Sequence, residues 1–157
     1  LGKMLLHSSD HLTTREREGE RLESLIEQRC DAMVEVVRKV RERIPQVRQG
    51  LRERLEQRLA EAKAELDEGR LEQELVYFAN KLDVDEELDR LDAHLDEVRR
   101  VLKEKKPVGR RLDFLMQELN REANTLASKS SDTEGTRASV DLKVYIEQMR
   151  EQVQNIE

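Results

Sequence analysis

The chain has 157 residues, 41% of them charged and 36% hydrophobic, with 3% aromatic residues, no tryptophan and a formal net charge of −6. Its single cysteine, Cys30, excludes an intrachain disulfide and a cysteine-based zinc site, and fits a reducing compartment. No apolar run approaches the ~20 residues that span a bilayer, and no secretory signal core is visible, so no membrane partner is expected.

Regular apolar stripes in a Leu-, Glu- and Arg-rich chain predict an all-α fold, with a long helical hairpin or coiled-coil arm plus a compact bundle of about four further helices. Residues 1–14 read as a tail from a preceding domain, with His7 and His11 incidental and Thr13 or Thr14 as a helix cap. Residues 15–68 read as the arm. Its apolar positions Leu22, Ile26, Cys30, Met33, Val37, Val40, Ile44, Val47, Leu51, Leu55 and Leu59 step mostly by three and four. Pro45 either kinks this helix or starts a second one, because its ring removes a hydrogen bond. The arm's basic run from Arg38 to Arg54 is interspersed with Glu42 and Glu53 and reads as a solvated face. Gly69 is placed as a C-cap ending the arm.

Residues 69–157 form the expected bundle. In its first helix Leu75, Phe78, Ala79 and Leu82 face the core, with Tyr77 and Phe78 as packing residues. Asp83 then caps a helix, with Glu86 completing a capping box. That helix buries Leu88, Leu91, Leu95, Val98 and Leu102, and aligns Glu87, Arg90, His94 and Glu97 along one flank. From Pro107 to Lys129, Leu112, Leu115, Leu119, Ala123 and Leu126 make a continuous stripe. Opposite it run Arg110, Asp113, Gln117, Glu118, Arg121, Glu122 and Thr125. A last helix from about residue 134 to 155 carries Val140, Val144 or Tyr145, Met149 and Val153 on its apolar side.

Charge is segregated sharply in this half. Residues 83–97 hold eight acids against Arg90, and residues 99–111 hold seven bases against Glu104. Carboxylates beside an imidazole suit Mg²⁺ or Mn²⁺, and a dense basic turn suits phosphate. Metal beside phosphate is an arrangement for phosphodiester cleavage. The acidic overall balance confines any nucleic-acid site to a local patch, and the few aromatics predict weak base readout.

Several segments resemble the YicC/YloC-like endoribonuclease family. They are Asn80-Lys81-Leu82-Asp83-Val84, Glu86-Glu87, Arg90-Leu91 and His94, then Pro107 through Leu115, Gln117-Glu118, Arg121-Glu122, Asn124-Thr125, Ser128-Lys129 and the ending from Glu147 to Glu157. The likeness runs from about residue 15 and is most specific over residues 82–157. It implies a C-terminal helical half, following an N-terminal α+β domain in other members. It further implies divalent-metal-dependent cleavage of RNA, in the cytoplasm, by a homo-oligomer, expected to be a hexamer, that encloses its substrate. Carried onto matching positions, the expected ligands of Mn²⁺ or Mg²⁺ are Glu87, His94, Glu118 and Glu122. His94, Glu118, Glu122 and Gln117 are the expected catalytic residues. Arg90, Arg110, Arg121, Asn124 and Lys129 are the expected RNA contacts. Members usually carry Gly where this chain has Ala127, which bears on how Lys129 is placed. The competing expectation is a non-catalytic helical oligomerisation or RNA-binding module, whose polar strip on the 110–125 helix is tied up in interhelical salt bridges.

Overall fold

A computed structural model describes residues 2–65, 68–104, 106–130 and 132–156, with side chains over 16–61, 69–80, 83–104, 106–130 and 132–155. The described residues are helical or in short connections: α1 (Gly2–Glu65), α2 (Glu68–Leu82), α3 (Asp85–Leu102), α4 (Gly109–Lys129) and α5 (Thr133–Ile156). None of these helices is long and apolar enough to cross a membrane.

α1 is one helix of 64 residues, ~96 Å at ~1.5 Å per residue. It continues past both predicted interruptions. Thr13 and Thr14 lie inside it, and Pro45 neither ends it nor starts a second helix. Ile44 and Leu51, on either side of the proline, are both buried. The apolar stripe therefore stays seated while one backbone hydrogen bond is lost. The side chains of His7 and His11 lie outside the described residues.

The core joins α1, α3, α4 and α5. Ile26, Cys30, Met33, Val37 and Ile44 of α1 meet Leu88, Leu91, Leu95, Val98 and Leu102 of α3 in one cluster. Leu112, Leu115, Leu119, Ala123 and Leu126 of α4 complete it, as their spacing predicted, together with Met116. α4 packs on both α3 and α5, and α1 packs on α2, α3 and α5.

Four local expectations are corrected. Gly69 falls within α2 and does not cap the arm. α3 begins two residues after Asp83, with Val84 at its N-cap and no side-chain cap bond. In α2 only Phe78 of the named core positions with a described side chain is buried; Leu75 and Ala79 are exposed. In α5 the buried row is Leu142, Ile146, Met149 and Val153, while Val140 and Val144 are exposed. Steps of four, three and four keep that row continuous. A row through Val144 and Met149 needs a step of five and drifts off the face.

Arginines of α1 fasten the bundle. Arg41 reaches Asp89 at 2.9 Å and Asp92 at 2.8 Å, and Arg48 reaches Asp85 at 2.5 Å. Arg43 lies 2.7 Å from both Asp132 and Glu134 at the start of α5. Three of the α3 acids and two arginines of the arm's basic run are thus spent on each other, which accounts for part of the charge segregation without any ligand.

Candidate functional site

α3 and α4 lie antiparallel, and their facing flanks form a ladder of polar pairs. Glu87 meets Lys129 at 2.9 Å, Arg90 meets Glu122 at 3.6 Å, and Glu97 meets Arg111 at 3.2 Å. Between the last two sits His94, opposite Glu118. The α3 members are the row Glu87, Arg90, His94 and Glu97 that helical spacing had aligned.

In the middle of this ladder His94, Glu118 and Glu122 converge. Each offers one ligand atom, and these atoms lie within 4.8 Å of one another. His94 and Glu118 are half-buried and Glu122 is only 5% exposed. α4 places the two acids one turn apart. Successive residues at i+4 rotate ~40° around the helix, so Glu118 flanks the core and Glu122 points into it. Atoms sharing one octahedral shell at ~2.1 Å from an ion are ~3 to ~4.2 Å apart, so a closure of about half an ångström would bring this set into range. Two carboxylates suit Mn²⁺ or Mg²⁺, and the imidazole nitrogen, a ligand for first-row transition metals, favours Mn²⁺ of the two. The residues present therefore fit a divalent cation.

Glu87, an expected fourth ligand, is not in this group. It is 2% exposed, and its Oε1 accepts a hydrogen bond from Lys129 Nζ, which also donates to the Asp83 carbonyl at 2.9 Å. Lys129, an expected RNA contact, is thereby committed inside the protein. The reason is local: α4 stays helical through Ala127 to Lys129, which carries the ammonium back over the start of α3. The signal for this pair was long-range, 42 residues apart in the chain, and no periodicity within one helix reveals it.

The remaining expected residues surround the cluster. Arg90 bridges Glu86 and Glu122, with one guanidinium nitrogen on each. Gln117 is exposed and donates to Asp113 at 3.2 Å. Arg110, Arg121 and Asn124 are exposed and make no ion pair or side-chain hydrogen bond among the described residues. Three arginines of the basic stretch are neutralised within the protein. Arg99 pairs with Asp31, Arg100 with Glu97, and Arg111 with Glu104 at 2.9 Å. The hydrogen bond from Arg100 holds the Glu97 carboxyl below the usual carboxylate range. Among the described residues, the α4 strip makes two ion pairs to other helices of this chain: Glu122 with Arg90, and Asp113 with Arg150 at 3.5 Å.

An apolar cavity of about 280 Å³ between α1, the end of α4 and the start of α5 is lined by Val40, Ile44, Val47, Leu51 and Leu126, and includes none of the three clustered groups.

Comparison with known proteins agrees with the resemblance. Residues 40–157 match the family model described as endoribonuclease YicC-like, C-terminal. The chain is 52% identical over 149 residues to the probable endoribonuclease YicC of Haemophilus influenzae, covering 95% of this chain and 52% of that protein. It is 37% identical over 146 residues to the probable endoribonuclease YicC of Clostridioides difficile, covering 91% of this chain and 50% of that protein. The chain thus spans about half the length of the curated relatives it matches. It belongs to the YicC-like endoribonuclease family, to which its last four helices and the part of α1 from residue 40 onward assign it.

Proposed function

We propose that this chain carries the cation-binding and RNA-cleaving groups of a divalent-metal-dependent endoribonuclease, acting in the cytoplasm as a homo-oligomer. The observation that carries the reading is the convergence of His94, Glu118 and Glu122 across the α3–α4 interface, in a chain whose relatives are named probable endoribonucleases.

When bound at these three residues, Mn²⁺ or Mg²⁺ supplies Lewis acidity at a phosphoryl oxygen and makes hydroxide available near neutral pH. The chain's own groups do the rest. Arg90 keeps positive charge beside the Glu122 carboxylate, 3.6 Å away, and extends it toward solvent. Arg110 and Arg121, with no carboxylate partner among the described residues, are available to phosphates. Asn124 and Gln117 offer amides that orient a ribose hydroxyl or the attacking water. Lys129 and Glu87 act as a brace, fixing the end of α4 to the start of α3 and hence the register that brings His94 opposite Glu118.

The group contains one imidazole, and one imidazole does not readily serve both as base for a 2′-hydroxyl and as acid for the leaving oxygen. The reading is therefore hydrolysis: a water oxygen bonds to phosphorus, the bond to the 3′ oxygen breaks, and that oxygen takes a proton. The products carry a 5′-phosphate and a 3′-hydroxyl.

The test pairs binding with product mapping. Mn²⁺ titration by calorimetry is expected to show saturable binding that His94→Ala and Glu122→Gln abolish, with unchanged helicity. Cleavage of RNA is expected to stop in EDTA and to return with Mn²⁺. Activity that persists in EDTA, or 2′,3′-cyclic phosphate ends, would overturn the reading.

A further inference from the structure

α4 carries one residue that the site as described leaves without a task. Phe114 is 60% exposed and makes no ring contact among the described residues. The chain has four aromatic residues, two Tyr and two Phe. Phe78 is buried, Tyr77 packs edge-on against Phe78 with centroids 5.5 Å apart, and Tyr145 is packed against the core. A lone exposed apolar side chain is ordinary by itself. The neighbours of this one are what make it informative.

Phe114, Glu118 and Glu122 stand at i, i+4 and i+8 on α4. The ~40° rotation per step makes them one row that descends from solvent to core. Phe114 is exposed, Glu118 half-buried and Glu122 buried. The ring thus stands one helical turn, ~6 Å along the axis, from the first of the clustered carboxylates. Arg110 lies one turn before it and Arg121 two turns after it. The two guanidinium groups bracket the ring over ~16 Å of helix, and neither has a carboxylate partner among the described residues. Arg90, Arg99, Arg100 and Arg111 of the same helix pair all do. An aromatic face between two unspent cations, beside a cation-binding cluster, has the composition of a single-strand nucleic-acid platform: stacking for a base, charge for the phosphates on either side.

We infer that Phe114 stacks on one unpaired base of the RNA, with Arg110 and Arg121 on the flanking phosphates, so that the substrate class is single-stranded RNA. The inference rests on the proposed nuclease reading for the identity of the polymer. A duplex cannot use the ring, because its bases are already stacked within the helix and its minor groove presents hydroxyls and phosphates. Since every base has a π face, the platform discriminates strandedness and leaves base identity nearly unread, in keeping with the scarcity of other aromatics.

The experiment measures binding of the chain, by fluorescence anisotropy, to a labelled single-stranded oligoribonucleotide and to the same strand annealed to its complement. Phe114→Ala, Phe114→Leu and Phe114→Trp are compared with the parent, with sedimentation velocity on each. Phe114 lies outside the buried core cluster, so all three variants are expected to fold, which circular dichroism checks. Phe114→Ala is expected to weaken single-strand binding about 5- to 150-fold and to leave duplex binding unchanged. Phe114→Trp retains the affinity, and Phe114→Leu, apolar but without a π face, falls with alanine. Single-strand binding by Phe114→Ala or Phe114→Leu equal to the parent overturns the inference. A loss of binding that tracks a change of oligomeric state also overturns it, since the ring would then be a subunit contact. The two readings fail separately. Cleavage that needs His94 but not Phe114 removes only the platform, whereas Phe114-dependent binding without metal-dependent cleavage removes only the nuclease mechanism.

Discussion

Removing the Lys129 charge while keeping its stem tests the brace directly, and Lys129→Met does this. Glu87 is 2% exposed and its Oε2 has no hydrogen-bond partner, so the Lys129 ammonium is what compensates the carboxylate. Breaking a buried pair from one side costs roughly 3–5 kcal/mol. The Lys129 side chain keeps 21% of its surface in water, and solvent reaching the orphaned carboxylate moves the expectation to about 3 kcal/mol. At ~2–4 °C per kcal/mol for a domain of this size, thermal melting should fall by about 6–12 °C. The double variant Glu87→Met with Lys129→Met removes both charges and should return to within ~1 kcal/mol of the parent, because well-packed apolar replacements of a buried pair are often neutral. Melting followed by circular dichroism, with urea denaturation for the free energies, reads both. A fall under about 2 °C in the single variant, or a double variant no more stable than the single, would refute the reasoning. Cleavage assays on the double variant then separate the two roles open to the lysine. Retained activity fits a brace, whereas lost activity at restored stability returns Lys129 to the role of phosphate contact.

Three other expectations follow from single features. Pro45→Ala restores one hydrogen bond in the interior of α1; against ~3 kcal/mol of helix propensity and up to ~1 kcal/mol of unfolded-state entropy the other way, it should stabilise by about 2 kcal/mol, and a lowered melting temperature would contradict this. Cys30 is fully buried, and burial pushes its thiol up to about 11 despite the nearby Arg99. Ellman's reagent should therefore leave it untouched at pH 8 until guanidinium is added, and rapid stoichiometric labelling of native protein would count against the packing. Glu97, held below the usual range by the Arg100 hydrogen bond and the Arg100 and Arg111 charges, contributes stability present above its unfolded pKa and lost as pH falls through the lower folded value. Glu97→Gln should flatten the acid limb of a melting-temperature profile, and an unchanged limb would argue that the contact is not kept in solution.

How much of this was legible in the chain depended on the range of the interaction. The stripes of α3 and α4 were readable because each is set by 3.6-residue periodicity within one helix, and all ten apolar positions named there are buried. α5 was misread where two apolar rows competed: Val140 and Val144 alternate with Leu142 and Ile146, and only the second row continues to Met149 and Val153 at helical steps. The capping box at Asp83 failed because the helix starts later and the Asp83 carbonyl is taken by Lys129. Periodicity aligned Glu87, Arg90, His94 and Glu97 on one flank, yet could not say what faced them. Glu87 and His94 looked equivalent as ligands, and the partner helix alone separates them. It sets an ammonium against the first and a carboxylate against the second.

That separation bears on why a cation suits this place. Within the α3–α4 ladder the carboxylates are Glu87, Glu97, Glu118 and Glu122, and the fixed cations are Arg90, Arg111 and Lys129. Three of the four acids therefore meet a base across the interface, and the surplus falls at the level of His94. A surface built only to join two helices would close that level as it closes the others, with a lysine or arginine opposite Glu118, at no cost in helix propensity. Here the position opposite is an imidazole, whose nitrogens are ligands, and the neighbouring acid is drawn from the buried side of α4. Among the described residues the ion pair of Glu122, 5% exposed, is a 3.6 Å contact to an arginine already shared with Glu86, so its carboxylate keeps acceptor capacity for a further partner. The unmatched charge and the convergent donors occupy the same point. Two separate features of the ladder, its charge count and its geometry, thus support the same proposed occupant.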